Sequence, residues 1–512
     1  MPRTHLSTAV NIISAFEKMV ERYPGKPAIH FKNRSISFSQ LKSEVDQFAV
    51  VLSGLGMQRS DRLAIYAPNS IETIITFLGA VRAGCIVTIL HPALKASDVQ
   101  YILEDAGARI LVTDPFRVKT IQTLKPELPE LERVIIYGEN VGEGLFSYPI
   151  LMAEKTQQPS QDTSNRSTIM LLIYTSGTTG KRKGALHTHG SILENIIAVA
   201  NWGKIGPDDQ SMCNFPISSV GGILTSVLLP LLVGSTCFLM ERFTAEEAAE
   251  LTTKHRISWF FGVPTMFWYL LDLPKDQNYD LSSYRLCLVA GAPVPEELFR
   301  AFNEAYGHEM LESYGSTEGQ SVTLTQPGKA RIGSCGQQNP GVELRIVDDR
   351  DNNLPAGEIG EILVRSPQMM KGYWNNPEAT EEVFRGGWLH TGDMGRLDDD
   401  GYIYIVDRKD DMFISRGHNI YPKEVENILY DHPKIKYVAV IGAQHPTWGT
   451  IPKAFVVLKE GETATEEEIL TYCKERITAY KSPKAIEFRH SLPISGTGKV
   501  LKKQLKRERY QE

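Results

Sequence analysis

The chain has 512 residues, with 55 Lys and Arg against 61 Asp and Glu, a net charge of −6. That length exceeds one compact core and implies two or more domains. The acidic balance argues against a nucleic-acid binder, which carries a basic excess. The six cysteines, at positions 85, 213, 237, 287, 335 and 473, are scattered with no C-x-x-C pair. This is the pattern of buried thiols in a reducing, cytoplasmic compartment, not of disulfides or a zinc site. The first residues, Met1-Pro-Arg-Thr-His-Leu-Ser7, lack the apolar core of a secretory signal.

In chain order, residues 11–23 have a helical period, with Ile12, Ile13, Phe16, Met19 and Val20 on one side, ended by Pro24-Gly25. Residues 28–31 and 34–38 read as a hairpin about Lys32-Asn33, and 41–55 as an amphipathic helix closed by Gly56. A strand over 62–66, a helix over 71–83 and strands over 86–90, 108–112 and 133–137 follow. Strands alternating with helices of this length imply βαβ units and largely parallel sheet. Residues 154–167 are polar and read as an exposed linker. A second α/β run has helices near 191–200, 265–271 and 296–305, with strands near 259–261, 285–290 and 309–312. From 333 to 365 strands alternate with turns, as in a small β subdomain. Beyond the charged stretch near 410 lies a further βα alternation: helices over 423–431 and 466–476, strands over 437–441 and 454–458. It is long enough for a separate small domain.

Residues 211–240 hold no charge, yet Pro216, Gly221, Gly222, Pro230 and Gly234 interrupt them. A membrane span is therefore not expected; a strand or loop to Ser219, a buried helix over 222–229 and a strand over 236–240 are.

Five stretches carry chemistry. Tyr174-Thr-Ser-Gly-Thr-Thr-Gly-Lys-Arg-Lys-Gly184 follows an apolar strand, residues 169–174. Its glycines admit close backbone approach, its hydroxyls donate to phosphate oxygens and its cations supply charge, which suits a polyphosphate. It is not a Walker A loop, since the sixth position from Gly177 is Arg182 and Lys181 is followed by Arg. Glu312-Ser-Tyr-Gly-Ser-Thr-Glu318 follows a predicted strand end, where α/β sheets bind ligands. There Tyr314 can stack on a base, Thr317 donate to phosphate and Glu318 hold a magnesium ion. Gly291-Ala-Pro293 leaves a slot for a flat ring opposite Tyr314. Asp393, in Thr-Gly-Asp393, can accept from both hydroxyls of a ribose. Pro493-Ile-Ser-Gly-Thr-Gly-Lys499 puts a lysine on a glycine-flanked tip ahead of a basic tail, 502–507. His187 and His189 make only two metal ligands with no third nearby, and read as residues leading into a helix.

The loop Thr-Ser-Gly-Thr-Thr-Gly-Lys-x-Lys-Gly resembles the signature of the adenylate-forming superfamily of acyl-CoA synthetases, luciferases and peptide-synthetase adenylation domains. Tyr-Gly-x-Thr-Glu, Thr-Gly-Asp and Thr-Gly-Lys follow in that superfamily's order, and the resemblance spans essentially the whole chain. It implies an α/β fold: a large N-terminal AMP-binding domain, 1–409, of α/β sheets plus a β subdomain, and a small mobile C-terminal α+β domain, 410–512. It implies activation of a carboxylic acid by ATP with Mg²⁺ to acyl-AMP, then transfer to CoA as co-substrate. By resemblance Thr175, Ser176, Gly177, Thr178, Thr179, Gly180 and Lys183 hold phosphates, and Gly291, Ala292, Tyr314 and Gly315 flank adenine. Asp393 and Arg408 hold the ribose. Thr317, Glu318 and Lys499 serve catalysis, with Glu318 the metal ligand. Asp410 is the hinge, and Gly417, in Ser415-Arg-Gly-His-Asn-Ile-Tyr-Pro422, keeps a channel open for the thiol.

The acyl pocket that this implies is apolar: Ser219, Val220, Gly221, Gly222, Phe261, Val263, Met266 and Ala290, with the two glycines leaving room for a chain. Pro216 follows Phe215 where amino-acid adenylation domains carry Asp, and no carrier domain follows Lys499. The likeness is greatest to bacterial medium- and long-chain fatty acid–CoA ligases, acting as monomer or homodimer. An aryl-acid–CoA ligase, or an acyl-AMP ligase loading a carrier protein, is the alternative. Two departures stand out: Ser219 where many relatives have His, and Arg182 where Pro is usual.

Overall fold

The protein was analysed as a computed structural model that describes residues 4–139, 141–153, 159–175, 182–292, 294–415, 418–445, 449–493 and 500–508. Local chemistry sets where its helices begin. Asn11 caps Ile12–Arg22, its side chain accepting from the Ser14 N–H while the Ser14 hydroxyl accepts from Asn11. The helix predicted from residue 41 begins three residues earlier, at Phe38–Gly54, because Ser37 and Gln40 form the same reciprocal cap. Lys32 takes a left-handed φ of 53° and turns the first hairpin, Pro27–Phe31 against Arg34–Ser37.

Two large sheets follow. One runs in the order Gly372–Tyr373, Lys183–Thr188, Ile169–Thr175, Ile86–Ile89, Arg62–Tyr66, Ala108–Thr113, Arg133–Ile136, Phe146–Ser147. The other runs Gln337–Gln338, Gln320–Leu324, Met310–Ser316, Leu286–Val289, Trp259–Gly262, Gln210–Cys213, Thr236–Leu239, Pro27–Phe31, Arg34–Ser37. Their central pairings are parallel. The largest core lies between them: Leu63, Val87 and Leu171 of the first sheet and Ile29, Leu239 and Trp259 of the second meet across helices Ile12–Arg22, Phe38–Gly54, Ile71–Arg82 and His189–Trp202. Further helices cover the outer faces, Ala245–His255, Pro264–Leu271 and Glu296–Tyr306 on one and Ala96–Ala106 on the other. Such burial on both faces is why the strand sequences read as continuous apolar runs.

A four-stranded antiparallel sheet, Glu343–Val347, Gly360–Arg365, Leu389–Leu397 and Ile403–Arg408, forms the β subdomain. Past residue 410 come a short hairpin, Phe413–Ser415 with His418–Ile420, and a sheet of Ile435–His445, Gly449–Leu458 and Ala485–Phe488. Each face of that sheet has its own core, Val425, Leu429 and Ile469 on one side and Phe455, Leu492 and Leu505 on the other.

Several expectations are corrected. The linker is not wholly exposed: Ser164 is buried, and Asn11 donates to Asp162 and to the Ser164 carbonyl at 2.8 and 3.0 Å. The helix expected over 222–229 is a π-helix, Gly221–Leu228, running into Leu229–Val233. His187 does not lead into a helix; it lies in strand Lys183–Thr188, and only His189 begins the helix. In the basic tail, Lys502 pairs with the buried Glu426 at 2.8 Å and Leu505 is fully buried. Among the described residues no helix is long and apolar enough to cross a membrane.

Trp259 closes the central core, 1 % exposed, with its indole N–H donating to Ser211 Oγ at 2.7 Å. Trp259→Ala loses its packing and leaves that hydroxyl without its donor, at a cost of about 3–5 kcal/mol. A fall in the urea midpoint of the unfolding transition checks this.

Candidate functional site

The carboxyl ends of the parallel strands gather the motifs. Thr175 ends the strand Ile169–Thr175, its hydroxyl 3.4 Å from the Lys183 carbonyl across the base of the glycine-rich loop. Ser176, Gly177, Thr178, Thr179 and Gly180 lie outside the described residues. The Lys183 ammonium stands 5.1 Å over the ring of Tyr373, and the Tyr373 hydroxyl donates to Glu318 at 2.9 Å. Burial and the Glu318 charge push the Tyr373 phenol up, so it stays protonated and remains a donor. Thr317 and Glu318 form the turn between Met310–Ser316 and Gln320–Leu324. The motif thus does not follow its strand, as expected, but continues it through Tyr314, Gly315 and Ser316. At Gly315 an added Cβ would stand 2.1 Å from the Gln320 carbonyl, so the hairpin itself demands this glycine.

Tyr314 donates to Asp393 Oδ2 at 2.6 Å, and Arg408 donates to Asp393 Oδ1 at 2.8 Å. Burial, then the Asp393 charge, drives the Tyr314 phenol well above its usual range. Each oxygen of Asp393 keeps a second lone-pair direction, so the carboxylate can still accept from two hydroxyls. Asp393 sits within the strand Leu389–Leu397, opposite Arg408 on the neighbouring strand. Gly291 follows the strand Leu286–Val289 with a left-handed φ of 83° and is exposed, with Ala292 half-buried beside it.

The residues expected to line an acyl pocket make contacts of their own. Ser219 Oγ donates to the Pro216 carbonyl at 2.9 Å and accepts from the Gly222 N–H at 3.0 Å, so it caps the start of the π-helix. The two glycines do not leave room for a chain. A Cβ on Gly222 would meet the Pro216 carbonyl at 2.1 Å, and one on Gly221 would meet the Phe261 ring at 2.9 Å. Phe261 packs on Phe215 with ring centroids 4.6 Å apart. Val263 is buried ahead of helix Pro264–Leu271, and Ala290 donates its N–H to the Gly262 carbonyl at 3.1 Å. Asn214, which the pattern of residues did not single out, is buried and donates to the Phe261 carbonyl at 2.9 Å.

Asp410 lies in the turn after Arg408. Its neighbour Lys409 donates its backbone N–H to Gly392 at 2.8 Å, and its ammonium reaches Asp349 and the buried Glu361, each at 3.1 Å. Gly417 and Lys499 lie outside the described residues. Among the described residues no three His, Cys, Asp or Glu side chains group as a metal site.

The sequence also passed over a buried polar pair. Gln320, in a left-handed conformation with φ 56°, donates from Nε2 to His187 Nδ1 at 3.1 Å and to the Gln368 carbonyl at 2.7 Å. Burial pushes His187 down to about 4, and burial also pushes His189 down to about 4. Both stay neutral in the folded state while the unfolded chain takes up protons near 6.5. The unfolded state therefore binds more protons between these values, and their contribution, present above 6.5, is lost as pH falls toward 4. His187→Gln should flatten the fall in melting temperature between pH 6.5 and 4, removing a pH-dependent term of roughly 3 kcal/mol.

Comparison with known proteins fits this arrangement. The family described as AMP-binding enzyme matches residues 16–374, and the AMP-binding enzyme C-terminal domain matches 424–499. The chain is 34% identical to a long-chain-fatty-acid–CoA ligase of Bacillus subtilis, over 95% of this chain and 92% of that protein. It is also 34% identical to a feruloyl-CoA synthase of Amycolatopsis sp., over 94% and 96%. Its fold matches the crystal structure of the anthranilate CoA ligase AuaEII in complex with anthranoyl-AMP, with TM-score 0.90, 31% identity and 97% of both chains covered.

Proposed function

The chain belongs to the AMP-binding enzyme family and is an AMP-forming acid–CoA ligase, and from that premise we propose that its acid is an apolar monocarboxylate, a fatty acid of medium length. The supporting observation is Phe261. The acyl cleft, residues 219–222 with Phe261, Val263 and Ala290, contains no charged side chain, so it favours an uncharged acyl group. The Phe261 ring against Gly221 takes space that a long chain would need. A second reading, an aryl acid, draws on the Phe215–Phe261 pair, whose faces could pack on a ring.

In the proposed reaction the acid's carboxylate oxygen attacks the α-phosphorus of ATP, and the bond to the bridging oxygen breaks to release pyrophosphate. The CoA thiolate then attacks the acyl carbonyl, and AMP leaves with the electron pair of the acyl–oxygen bond. Thr175–Gly180 and Lys183 would hold the departing phosphates. Tyr314 and Gly291-Ala292 would flank the adenine, and Asp393, oriented by Arg408 and Tyr314, would accept from the ribose hydroxyls. Glu318 would hold Mg²⁺, which supplies neutralising charge to the phosphates; one carboxylate is the usual protein share of such a site. Tyr373 holds that carboxylate in place. Lys499 would stabilise charge at the α-phosphate in the first step. The segment 410–512 would then turn about Asp410 and bring Gly417 to the thiol channel, because two transition states need two sets of positioned groups. We place the protein in the cytoplasm on its six cysteines, all free and buried.

Pyrophosphate release over a panel of fatty and aryl acids, with and without CoA, tests the reading. Medium-chain acids should give the highest kcat/KM, with acyl-CoA as product. Release that never yields acyl-CoA would point to a carrier-protein thiol as acceptor. Phe261→Ala should shift the optimum to longer chains, by about fourfold in kcat/KM for each methylene newly buried. An optimum that does not move removes Phe261 as the limit on length. Lys499→Ala should lower adenylate formation by about 10²–10³ yet leave thioester formation from supplied acyl-adenylate; equal loss of both steps would contradict the domain rotation.

A further inference from the structure

Both legs of the glycine-rich hairpin are tied to a single helix. The helix Ala96–Ala106 packs Val99, Ile102 and Leu103 into the core beneath it, and Ala106 against Ile86, Leu172 and Leu186. Asp98, Tyr101 and Asp105, spaced three and four apart, form an adjacent half-buried stripe. On the incoming leg, Tyr174 donates its hydroxyl to Asp105. On the outgoing leg, Arg182 Nε donates to Asp98 Oδ1 at 3.0 Å, and Tyr101 donates its hydroxyl to the Arg182 carbonyl at 3.0 Å. Thr175, which follows Tyr174 on the loop side, pairs across the hairpin with Lys183, which follows Arg182 on the strand side. The end of the same helix also holds the strand carrying Tyr373: the Trp374 indole donates to the Asp105 carbonyl at 2.9 Å.

We infer that Asp98, Tyr101 and Asp105 act as a clamp on the two legs of this hairpin, positioning Thr175 and Lys183 for the phosphates of ATP. The inference rests on the phosphate role proposed above for that hairpin. It assigns a use to Arg182, which stands where proline is usual. Proline stiffens a leg by restricting φ; Arg182 restrains the same leg from outside, through its side chain to Asp98 and its carbonyl to Tyr101. Asp98, Tyr101, Asp105, Tyr174 and Arg182 are positioning residues and need not touch the nucleotide.

Steady-state adenylation kinetics separate the clamp from a simple charge effect. Asp98→Ala leaves Arg182 as an added uncompensated positive charge beside the loop. If charge alone mattered, the KM for ATP would fall; a lost tether raises it. We expect Asp98→Ala and Arg182→Ala each to raise the KM for ATP about threefold, as suits a partly exposed ion pair. The double variant should be no worse than either single, and the exchange Asp98→Arg with Arg182→Asp should restore part of the loss. Tyr174→Phe acts on the other leg, so combined with Arg182→Ala it should multiply to about tenfold. The KM for the acid, kcat at saturating ATP and the melting temperature should stay at wild-type values. A KM for ATP that falls or does not move in Asp98→Ala overturns the clamp, as does a rise matched by equal changes in acid KM and melting temperature. Lys183→Ala in the same assay distinguishes the failures. If it raises the KM for ATP while the clamp variants do not, the clamp alone is wrong. If all retain the wild-type KM, the phosphate role of the hairpin fails with it.

Discussion

One carboxylate holds two sheets of the site in register. Asp393 accepts from Tyr314 on the second large sheet and from Arg408 on the last strand of the β subdomain. The two sheets also meet through Gln337, which donates to the Asp400 carbonyl at 2.8 Å, and through apolar contacts, which fix distance but little orientation. Charge-assisted hydrogen bonds are directional and short, so they set the angle at which the subdomain faces the strand ends. A half-buried tyrosine kept protonated and an arginine that cannot lose its proton make this arrangement insensitive to pH near neutrality.

The same logic extends outward. Lys409, beside the proposed hinge, is held by Asp349 and Glu361 of the subdomain. Lys423, past the hinge, donates to the Ile405 carbonyl, and its backbone N–H donates to the buried Asp407. Lys423 also faces Glu312, whose carboxyl burial pushes up to about 7. Among the described residues the segment beyond 410 also meets Tyr269 through Tyr437, and it carries its own apolar cores.

The catalytic layout depends on supports that touch no ligand in the proposed reaction. Tyr373 orients Glu318, Gln320 fills the space between His187 and the Gln368 carbonyl, and the helix Ala96–Ala106 carries both legs of the glycine-rich hairpin. The left-handed Gln320 and the π-helix at Gly221–Leu228 are strained or uncommon backbone, and both border the site, where such features concentrate.

The sequence alone determined the α/β alternation, the small domain-like run after residue 410 and the motifs that mark the ligand. Apolar periodicity, cap residues and short polar patterns are local, and local chemistry decides them. The helix Ile12–Arg22 and the strand 62–66 were therefore legible in the residues themselves, whereas the Ser37–Gln40 cap that starts the next helix at Phe38 was not read there. Tertiary structure decided what lies across space. That the gaps at Gly221 and Gly222 are filled by the Phe261 ring and a backbone carbonyl, that Tyr373 meets Glu318, and that Arg182 has a partner in Asp98 eighty-four residues earlier follows only once the sheets are packed. A missing side chain opens space in a sequence; only the neighbours brought up by folding determine whether a substrate or the protein itself occupies it.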